Sequence, residues 1–354
     1  SKTMKSTLIF ALFILPSVGS LSQQTKTTPK PNVKPAVSNL ERVVATVGSH
    51  KITRRDVILN YAESDPRVLG SFLLDRYPTI QPEMRISLAE LSEQIFSQFP
   101  DKFEGIVQEL MATAALEQAA KAKRITVTEQ QINSYVHDAL DVRRKGAELA
   151  PASDAALIKK LNERQSRLYA TARRKLITDA LIVAEMENRL GRKFTPDDFF
   201  RLKMIYVEAP TKDTGRDFEA AKTKAELAHK EITEGKKTFE QAAKDHSTDG
   251  SKLHDANLGV LPRTYLKTDI ENAVIKLKPG EMTAPIQAGN GYGIFRLEAN
   301  GAMLTAEDRR KSLQFVSAVP KKINDALAWA LKDIQWTTTI GKPPEWIRQN
   351  ISAN

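Results

Sequence analysis

The sequence predicts an α+β protein: a mainly helical domain built from both ends of the chain, with a smaller α+β domain inserted between them. Three observations support this fold class. Apolar residues recur at helical spacing through most of 54–191. The pattern then changes to strand, helices and strand over about 100 residues, enough for a separate domain. Short β-rich segments near each end of the chain lack a local partner, and a lone strand needs a sheet.

The composition excludes several functional classes. The chain has 354 residues, a formal net charge of +10 and no cysteine. Hydrophobic residues make up 41% and charged residues 27%, which is ordinary for a globular protein and argues against wholesale disorder. Without cysteine there is no disulfide scaffold, thiol nucleophile, cysteine-liganded metal or cysteine lipid anchor.

The first residues predict an export signal. A lysine at position 5 is followed by an apolar run from Leu8 to Leu15 and then by small residues. This layout is typical of a secretory signal peptide over 1–20, and the run is too short to cross a bilayer. Residues 21–38, rich in Pro, Thr and Lys, are interpreted as a flexible linker. We therefore expect signal cleavage, export and no stable membrane insertion.

Residues 39–196 are predicted to form the N-terminal part of the helical domain. The segment 42–52 carries β-branched residues around Gly48-Ser49, a pattern typical of a two-residue hairpin. Helical stripes follow, bounded by capping and stop signals. The residues behind these predictions are Thr53 with Asp56, the stripe Phe103, Val107, Leu110 and Ala114, Thr128 with Gln131 before Ile132, Val136 and Leu140, and a helix over 168–190 ended by Gly191.

Residues 197–300 are predicted to be the inserted α+β domain, and residues 301–354 are predicted to return to the helical domain. The elements expected are a turn at 195–196, strands at 202–207 and 294–297, helices at 216–233, 239–246 and 270–277, a turn at 278–281, a helix at 313–334 and a β-rich piece at 336–340. Because 42–52 and 336–340 both lack a partner, we expect the two ends of the chain to pair.

An ordered series of short motifs in 197–300 resembles the parvulin-type peptidyl-prolyl isomerases. The series is FEQAA at 239–243, STD at 247–249, NLG at 257–259, LKPGEMTAPI at 277–286 and GYGI at 291–294. With the export signal and the flanking helical segments, the chain resembles the SurA and PrsA family of extracytoplasmic chaperones. The hairpin VVATVGSHKIT also resembles the start of that family's N-terminal chaperone domain. The resemblance implies a periplasmic protein whose helical domain acts as a chaperone.

The resemblance places a parvulin active site on this chain position by position. Parvulins usually carry one histidine in the first strand and another in the last, where this sequence has Met204 and Gly293. The Cys or Asp between them corresponds to Asp249, the one polar catalytic position that is retained. The residues expected to line the substrate-binding pocket are Met204, Leu258, Leu266 and Ile270. The pocket thus stays aliphatic while the paired imidazoles are lost.

Loss of the imidazoles changes the expected chemistry. Prolyl isomerisation must lower a rotation barrier of about 18–20 kcal/mol by favouring the twisted amide. A dry pocket and hydrogen bonds aimed at the twisted form achieve this. The Met204 side chain offers no such bond, Gly293 has no side chain, and Asp249 lacks its imidazole partners. We expect weak or absent isomerase activity.

The expected function is therefore ATP-independent holding of unfolded exported proteins by exposed apolar surface. The family resemblance points to outer-membrane protein precursors as partners. Two alternatives stay open: an active parvulin-type isomerase that depends on Asp249, and a basic surface-binding protein whose attachment is sensitive to salt.

No cofactor, nucleotide, metal or nucleic acid is expected. Residues 235–238 are similar to the end of a phosphate loop, but the earlier glycine of that motif is missing. Four polar residues of one loop fit no standard metal spacing. Three basic triplets lie among acidic residues, and aromatic residues are only 6% of the chain, which is poor for base stacking. The residues concerned are His246, Asp249, His254 and Asp255 for a metal, and 143–145, 173–175 and 309–311 for nucleic acid.

Overall fold

The computed structural model describes residues 39–64, 100–146, 153–160, 165–345, 347 and 352–353. The predicted signal peptide and linker lie outside the described residues, as do the parts of the predicted helical region at 65–99, 147–152 and 161–164. None of the helices in the described part of the chain combines the length and apolarity needed to cross a membrane.

The described elements alternate between a helical region and an antiparallel α+β region. In chain order they are β1 Val43–Val47, β2 His50–Thr53, α1 Arg54–Ser64, α2 Pro100–Ala122, α3 Glu129–Gly146, α4 Asp154–Lys160, α5 Gln165–Leu190, β3 Phe199–Glu208, β4 Thr211–Lys212, β5 Gly215–Arg216, α6 Phe218–Thr233, α7 Phe239–His246, β6 Asn257–Pro262, α8 Thr268–Val274, β7 Ile286–Ala288, β8 Gly291–Asn300, α9 Ala306–Val316, α10 Pro320–Leu331, β9 Gln335–Thr338 and β10 Ser352–Ala353. The fold class predicted from the sequence, α+β with helical parts at both ends, is confirmed.

A four-stranded sheet in the order β10–β9–β1–β2 joins the two ends of the described chain. The predicted hairpin is confirmed, with Val47 opposite His50 and Gly48 at a left-handed φ of 53° in the turn. The predicted pairing of the chain ends is also confirmed, because β9 runs antiparallel to β1 with Val47 opposite Trp336. The sequence missed β10, a two-residue strand parallel to β9.

Helices α1, α2, α5 and α10 pack against this sheet around one apolar core, and α3 and α4 form a second apolar cluster with the first half of α5. We call the sheet with these helices and α9 the helical body. The stripe predicted on α2 is confirmed, since Phe103, Val107 and Ala114 are buried and Leu110 is half-buried. Helix α5 packs against both α2 and α10 and contributes the fully buried Leu181. Burying one such leucine contributes about 1.5–3 kcal/mol, so this shared core holds N- and C-terminal segments together.

The helix boundaries predicted in the body are confirmed by their caps. The Thr53 N–H donates to the Asp56 carboxylate at 2.7 Å, and the Asp56 N–H donates to Thr53 Oγ1 at 3.3 Å. Thr128 and Gln131 form the same pair of bonds at 2.8 and 3.2 Å. Helix α5 ends at Leu190, just before Gly191, whose φ is 78°. The stripe predicted on α3 is buried: Ile132, Val136 and Leu140.

The inserted domain is an antiparallel sheet in the order β6–β3–β8–β7 with helices on both faces. Helices α6 and α7 cover one face, and α8 packs on the other. All the helices and strands predicted in this region are present, with α8 ending three residues earlier than expected. The sequence missed β6 and β7, and also the two-residue strands β4 and β5. Strand β6 contains Gly259 and Pro262, which usually mark turns, and β7 has only three residues.

The single helix predicted over 313–334 is wrong. The structure has two helices there, α9 and α10, and Pro320 stands at the first position of α10. A proline has no N–H to donate, so it is tolerated at a helix start and breaks a continuous helix. Helix α9 also begins earlier than expected, because Thr305 and Asp308 form a capping box with two bonds of 3.0 Å. This helix packs along β6 and so joins the body to the inserted domain.

Candidate functional site

One face of the inserted sheet carries the residues that the sequence placed at the proline pocket. Met204 on β3 lies opposite Phe295 on β8, so both side chains project from the same face. Leu258, Leu266 and Ile270 belong to the same apolar cluster. We call the surface formed by these five residues the apolar bowl. The structure brings the four sequence-predicted pocket residues together, and their role in binding stays a prediction.

The bowl has a buried floor and a partly open rim. Phe295 is 2% exposed and Ile270 is 5% exposed, so these two side chains form the floor. Met204, Leu258 and Leu266 are half-buried and keep part of their surface in contact with solvent. The exposed parts of these three side chains offer carbon and the Met204 sulfur, a surface suited to a proline ring or another apolar group.

The second histidine position, Gly293, lies under the ring of Phe295. A Cβ atom built on Gly293 would stand 2.8 Å from Cε2 and 2.9 Å from Cζ of that ring. Real carbon contacts are not this short, so no side chain fits at Gly293 unless the ring moves. The sequence analysis missed Phe295. Residues two apart on a strand share a face, so the alternation of β8 was the signal that could have found it.

Asp249, the retained polar position, is held as a cap of its own loop. Its carboxylate accepts from the Ser251 N–H at 3.2 Å and the Ser251 hydroxyl at 2.5 Å, at the start of a short 3₁₀ turn. The Ser251 hydroxyl also lies 3.0 Å from the Ser247 hydroxyl, within hydrogen-bond distance. Ser247 in turn accepts the Tyr206 N–H at 3.1 Å. The carboxylate thus stabilises the loop beside β3 through a chain of hydroxyl groups.

None of the chain's five histidines, all within the described residues, hydrogen-bonds to Asp249. The imidazole of His246 on α7 pairs with Glu231 at 2.7 Å, on the opposite face of the sheet from the bowl. His137 pairs with Asp154 at 2.9 Å in the helical body. The remaining histidines are on β2, on α6 and at the exposed end of the 3₁₀ turn: His50, His229 and His254. Asp249 therefore lacks the imidazole partner that the resemblance associates with catalysis.

The sequence analysis also missed Tyr206, a polar side chain on the bowl's side of the sheet. It lies directly opposite Gly293 and two residues along β3 from Met204, so it shares their face. Burial, with the nearby Glu208 carboxylate, raises the pKa of Tyr206. The phenol is therefore neutral at neutral pH and keeps a proton that it can donate.

The opposite face of the sheet carries an ion-pair network rather than a site. Glu240 on α7 accepts hydrogen bonds from Lys203 and, at 2.8 Å, from Arg296. The Arg296 guanidinium also lies 4.8 Å from the centre of the Phe239 ring. Burial favours the neutral acid, but the Lys203 hydrogen bond and the Arg296 charge outweigh it and lower the pKa of Glu240 to about 2. Helix α7 is thereby fastened to the sheet.

Substituting Glu240→Gln is expected to weaken the dependence of stability on acid pH. The folded-state pKa of about 2 lies below the ordinary value of 4.5, so the stabilisation is fully present above pH 4.5 and is lost as the pH falls through about 2. Urea unfolding measured at several pH values across this window should show that the free energy of unfolding of the variant depends less on pH. The matched control is Glu226→Gln, an exposed residue on α6. If the free energy of unfolding changed equally with pH in Glu240→Gln and in the unmodified protein, the lowered pKa of Glu240 would be contradicted.

Comparison with known proteins identifies the inserted domain. The family model of the PPIC-type PPIase (rotamase) domain matches residues 204–299. The chain is 24% identical over 310 residues to Chaperone SurA from Cupriavidus metallidurans, in an alignment that covers 81% of this chain and 57% of that protein. It is 27% identical over 171 residues to Foldase protein PrsA from Staphylococcus aureus, which covers 46% of this chain and 51% of that protein.

A solved structure of peptidylprolyl isomerase (PrsA) from Bacillus anthracis is similar at 18% identity with a TM-score of 0.38, covering 70% of this chain and 99% of that chain. The chain spans less than two thirds of the length of the SurA proteins that it matches, 57% in one and 64% in a second from Burkholderia thailandensis. The order of motifs, the sheet and the matched segment agree. Residues 204–299 match the PPIC-type PPIase domain, and the chain is similar to proteins named Chaperone SurA and Foldase protein PrsA.

Proposed function

We propose that the protein is an exported, ATP-independent chaperone that holds unfolded polypeptides, and that its parvulin-like domain binds apolar segments with weak or absent isomerase activity. The helical body would comprise residues 39–196 and 301–354, and the inserted domain residues 197–300. The observation that carries the proposal is the Phe295 ring over Gly293, which removes the space for an imidazole and gives the bowl an apolar floor.

The bowl is better suited to binding a peptide than to catalysing its isomerisation. Catalysis of amide rotation needs hydrogen bonds that strengthen as the peptide twists, and the bowl's five side chains supply none. An apolar surface binds the planar and twisted forms of a prolyl peptide about equally, and uniform binding of this kind does not lower the barrier between them. The same surface covers an exposed apolar side chain of an unfolded protein, which is what prevents aggregation.

The clients proposed are unfolded exported proteins, with outer-membrane protein precursors as the first class to test. The names of the relatives, Chaperone SurA and Foldase protein PrsA, support a role in protein folding. The apolar run from Leu8 to Leu15 supports export through a cleaved signal peptide. The positive charge of +10 would add salt-sensitive attraction to acidic clients.

The test is suppression of aggregation by bowl variants. A carboxylate introduced at the bowl's rim by Leu258→Asp would have to lose water when a client side chain binds, so client affinity should fall by about tenfold. The assay is light scattering of an unfolded outer-membrane protein diluted with near-stoichiometric chaperone. The control is Leu253→Asp, because Leu253 is 75% exposed and lies outside the bowl. Lack of suppression by the unmodified protein at any ratio would refute the chaperone proposal.

The second candidate, an active isomerase, is favoured by the Tyr206 phenol. Its hydroxyl is neutral at neutral pH and shares a sheet face with Gly293, so it could donate a hydrogen bond to a twisting amide. A protease-free isomerisation assay on a short proline peptide separates the two functions. Clear turnover at micromolar protein that Tyr206→Phe or Asp249→Ala abolishes would establish the isomerase and refute the proposal of a purely binding bowl.

A further inference from the structure

The loop 263–266, between β6 and α8, is held by side chains of the helical body. Arg189, near the end of α5, donates from Nη2 to the backbone carbonyl of Thr264 at 2.7 Å. Lys322 on α10 donates from Nζ to the same carbonyl at 3.0 Å. One carbonyl oxygen has two lone pairs, so two cations from two body helices saturate it.

The same loop is held from the inserted domain on its other side. Glu271 on α8 accepts the Thr264 N–H at 2.5 Å and the Arg263 side chain at 3.1 Å. The backbone N–H of Arg263 donates to the backbone carbonyl of Asp198 at 2.7 Å. Both polar groups of the Thr264 backbone are therefore fixed by charged side chains that belong to different parts of the fold.

Thr264 occupies a conformation that its side chain disfavours. Its φ is +66°, in the left-handed region, where a β-branched residue is a genuine outlier. Its hydroxyl oxygen is buried and has no hydrogen-bond partner among the described residues, so the side chain does not supply the stabilisation. The contacts to its backbone are what keep this conformation populated.

The loop also connects the core of the body with the apolar bowl. Tyr265 packs against the cores of both, and its ring lies 5.9 Å from that of Phe315 on α9. The ammonium of Lys322 lies 5.2 Å from the centre of the Tyr265 ring. The next residue, Leu266, belongs to the bowl itself. A change at Thr264 is thus two residues from a bowl side chain.

We propose that Arg189 and Lys322 are positioning residues for the apolar bowl: the helical body uses them to hold loop 263–266 and so to keep Leu266 at the rim. This inference rests on the proposed binding function of the bowl. Without the two cations, Thr264 would leave the left-handed region, because relaxation to an ordinary φ removes its strain. Leu266 would move with it and the rim would open. The body then controls the affinity of a site in the other domain.

The test compares substitutions that remove the donors with one that removes the strain. Arg189→Met and Lys322→Met keep the length and the apolar stem of each side chain and delete the charge. Arg189→Lys keeps a donor. The control on α10 is Lys321→Met, because Lys321 is 78% exposed and its ion pair within the described part of the chain is with Asp325 on its own helix. Thr264→Gly makes the left-handed conformation available without strain.

The first measurement is fluorescence anisotropy of a fluorescein-labelled hexapeptide, Ala-Leu-Phe-Pro-Leu-Ala, with the full chain. Arg189→Met and Lys322→Met should each weaken its affinity, and together by about tenfold, the typical bias of a residue against the left-handed region. Arg189→Lys and Lys321→Met should bind like the unmodified protein. Adding Thr264→Gly to Arg189→Met should restore affinity. Unchanged affinity in both Met variants, or failure of the glycine to restore it, would overturn the proposal.

The second measurement is amide hydrogen exchange over 263–266, which does not need the peptide to bind. Faster exchange of these amides in the two Met variants, with exchange in the rest of the chain unchanged, supports the proposal that Arg189 and Lys322 hold the loop. Unchanged exchange overturns that proposal. If the unmodified protein does not bind the peptide while exchange still responds, the binding function of the bowl fails and the contact from the body stands. The two failures are thereby distinguished.

Discussion

Substituting Gly293→Ala is expected to destabilise the inserted domain by about 1–3 kcal/mol, the usual cost of overpacking a core. The added methyl would lie 2.8 Å from Phe295 Cε2. The ring is 2% exposed and cannot move away without displacing its neighbours in the bowl. The measurement is urea unfolding monitored by circular dichroism, and the midpoint should fall without a change in slope.

The matched control is another glycine with open space around it. Gly105 lies within α2, and a Cβ there meets nothing within 4 Å. Gly105→Ala should therefore stabilise by about 0.8–1.0 kcal/mol through helix propensity alone. If Gly293→Ala lowers the free energy of unfolding and Gly105→Ala raises it, contact with the ring, and not the loss of a glycine, decides the outcome.

A double-mutant cycle separates contact with the ring from other effects. Phe295→Leu removes part of the ring that crowds position 293, and its own cost is the loss of buried surface. In the double variant the Gly293→Ala methyl occupies space that the ring has left. The loss of unfolding free energy should therefore be smaller than the sum of the two single losses by about 0.5–3 kcal/mol. Additive costs would mean that the ring does not exclude a side chain from position 293, and the argument against an imidazole there would fail.

The sequence predicted the body well because its signals are local. Thr53 with Asp56 and Thr128 with Gln131 form their capping bonds within four residues of chain, so no tertiary context is needed to recognise them. The pairing of β9 with β1 was predicted by elimination, since two segments without local partners were left at the chain ends. Strand β10 was missed because two residues carry no periodicity.

The sequence predicted which residues come together in the bowl, but not how their side chains are arranged. Met204, Leu258, Leu266 and Ile270 do cluster on one face, as the motif order implies. The Phe295 ring over Gly293 is a side-chain arrangement, and a sequence specifies which residues share a face but not which rotamer fills the space. The Arg189 and Lys322 contacts to Thr264 join residues that are 75 and 58 positions apart, and no local pattern reveals them.

Removing residues 334–354 is expected to unfold the helical body and leave the inserted domain folded. The deletion takes away β9, which pairs with β1, and Ile347, which is fully buried in the body core. Losing one buried isoleucine costs about 2–5 kcal/mol, against a total stability of about 5–15 kcal/mol for a typical domain. The two apolar clusters on the faces of the inserted sheet contain no residue beyond 300. Limited proteolysis with mass spectrometry should find a resistant fragment near 197–300.

The control deletion removes only residues 352–354, and with them the two-residue strand β10. Its edge position and short length make its contribution small, so the body should melt within a few degrees of the full chain. Equal melting of the long deletion and the full chain would contradict the closure of the body by its C-terminal segment. The long deletion also bears on the bowl, because Arg189 and Lys322 belong to the body. A folded inserted domain that binds the peptide less tightly once the body has unfolded is the result expected if the body holds loop 263–266 in place.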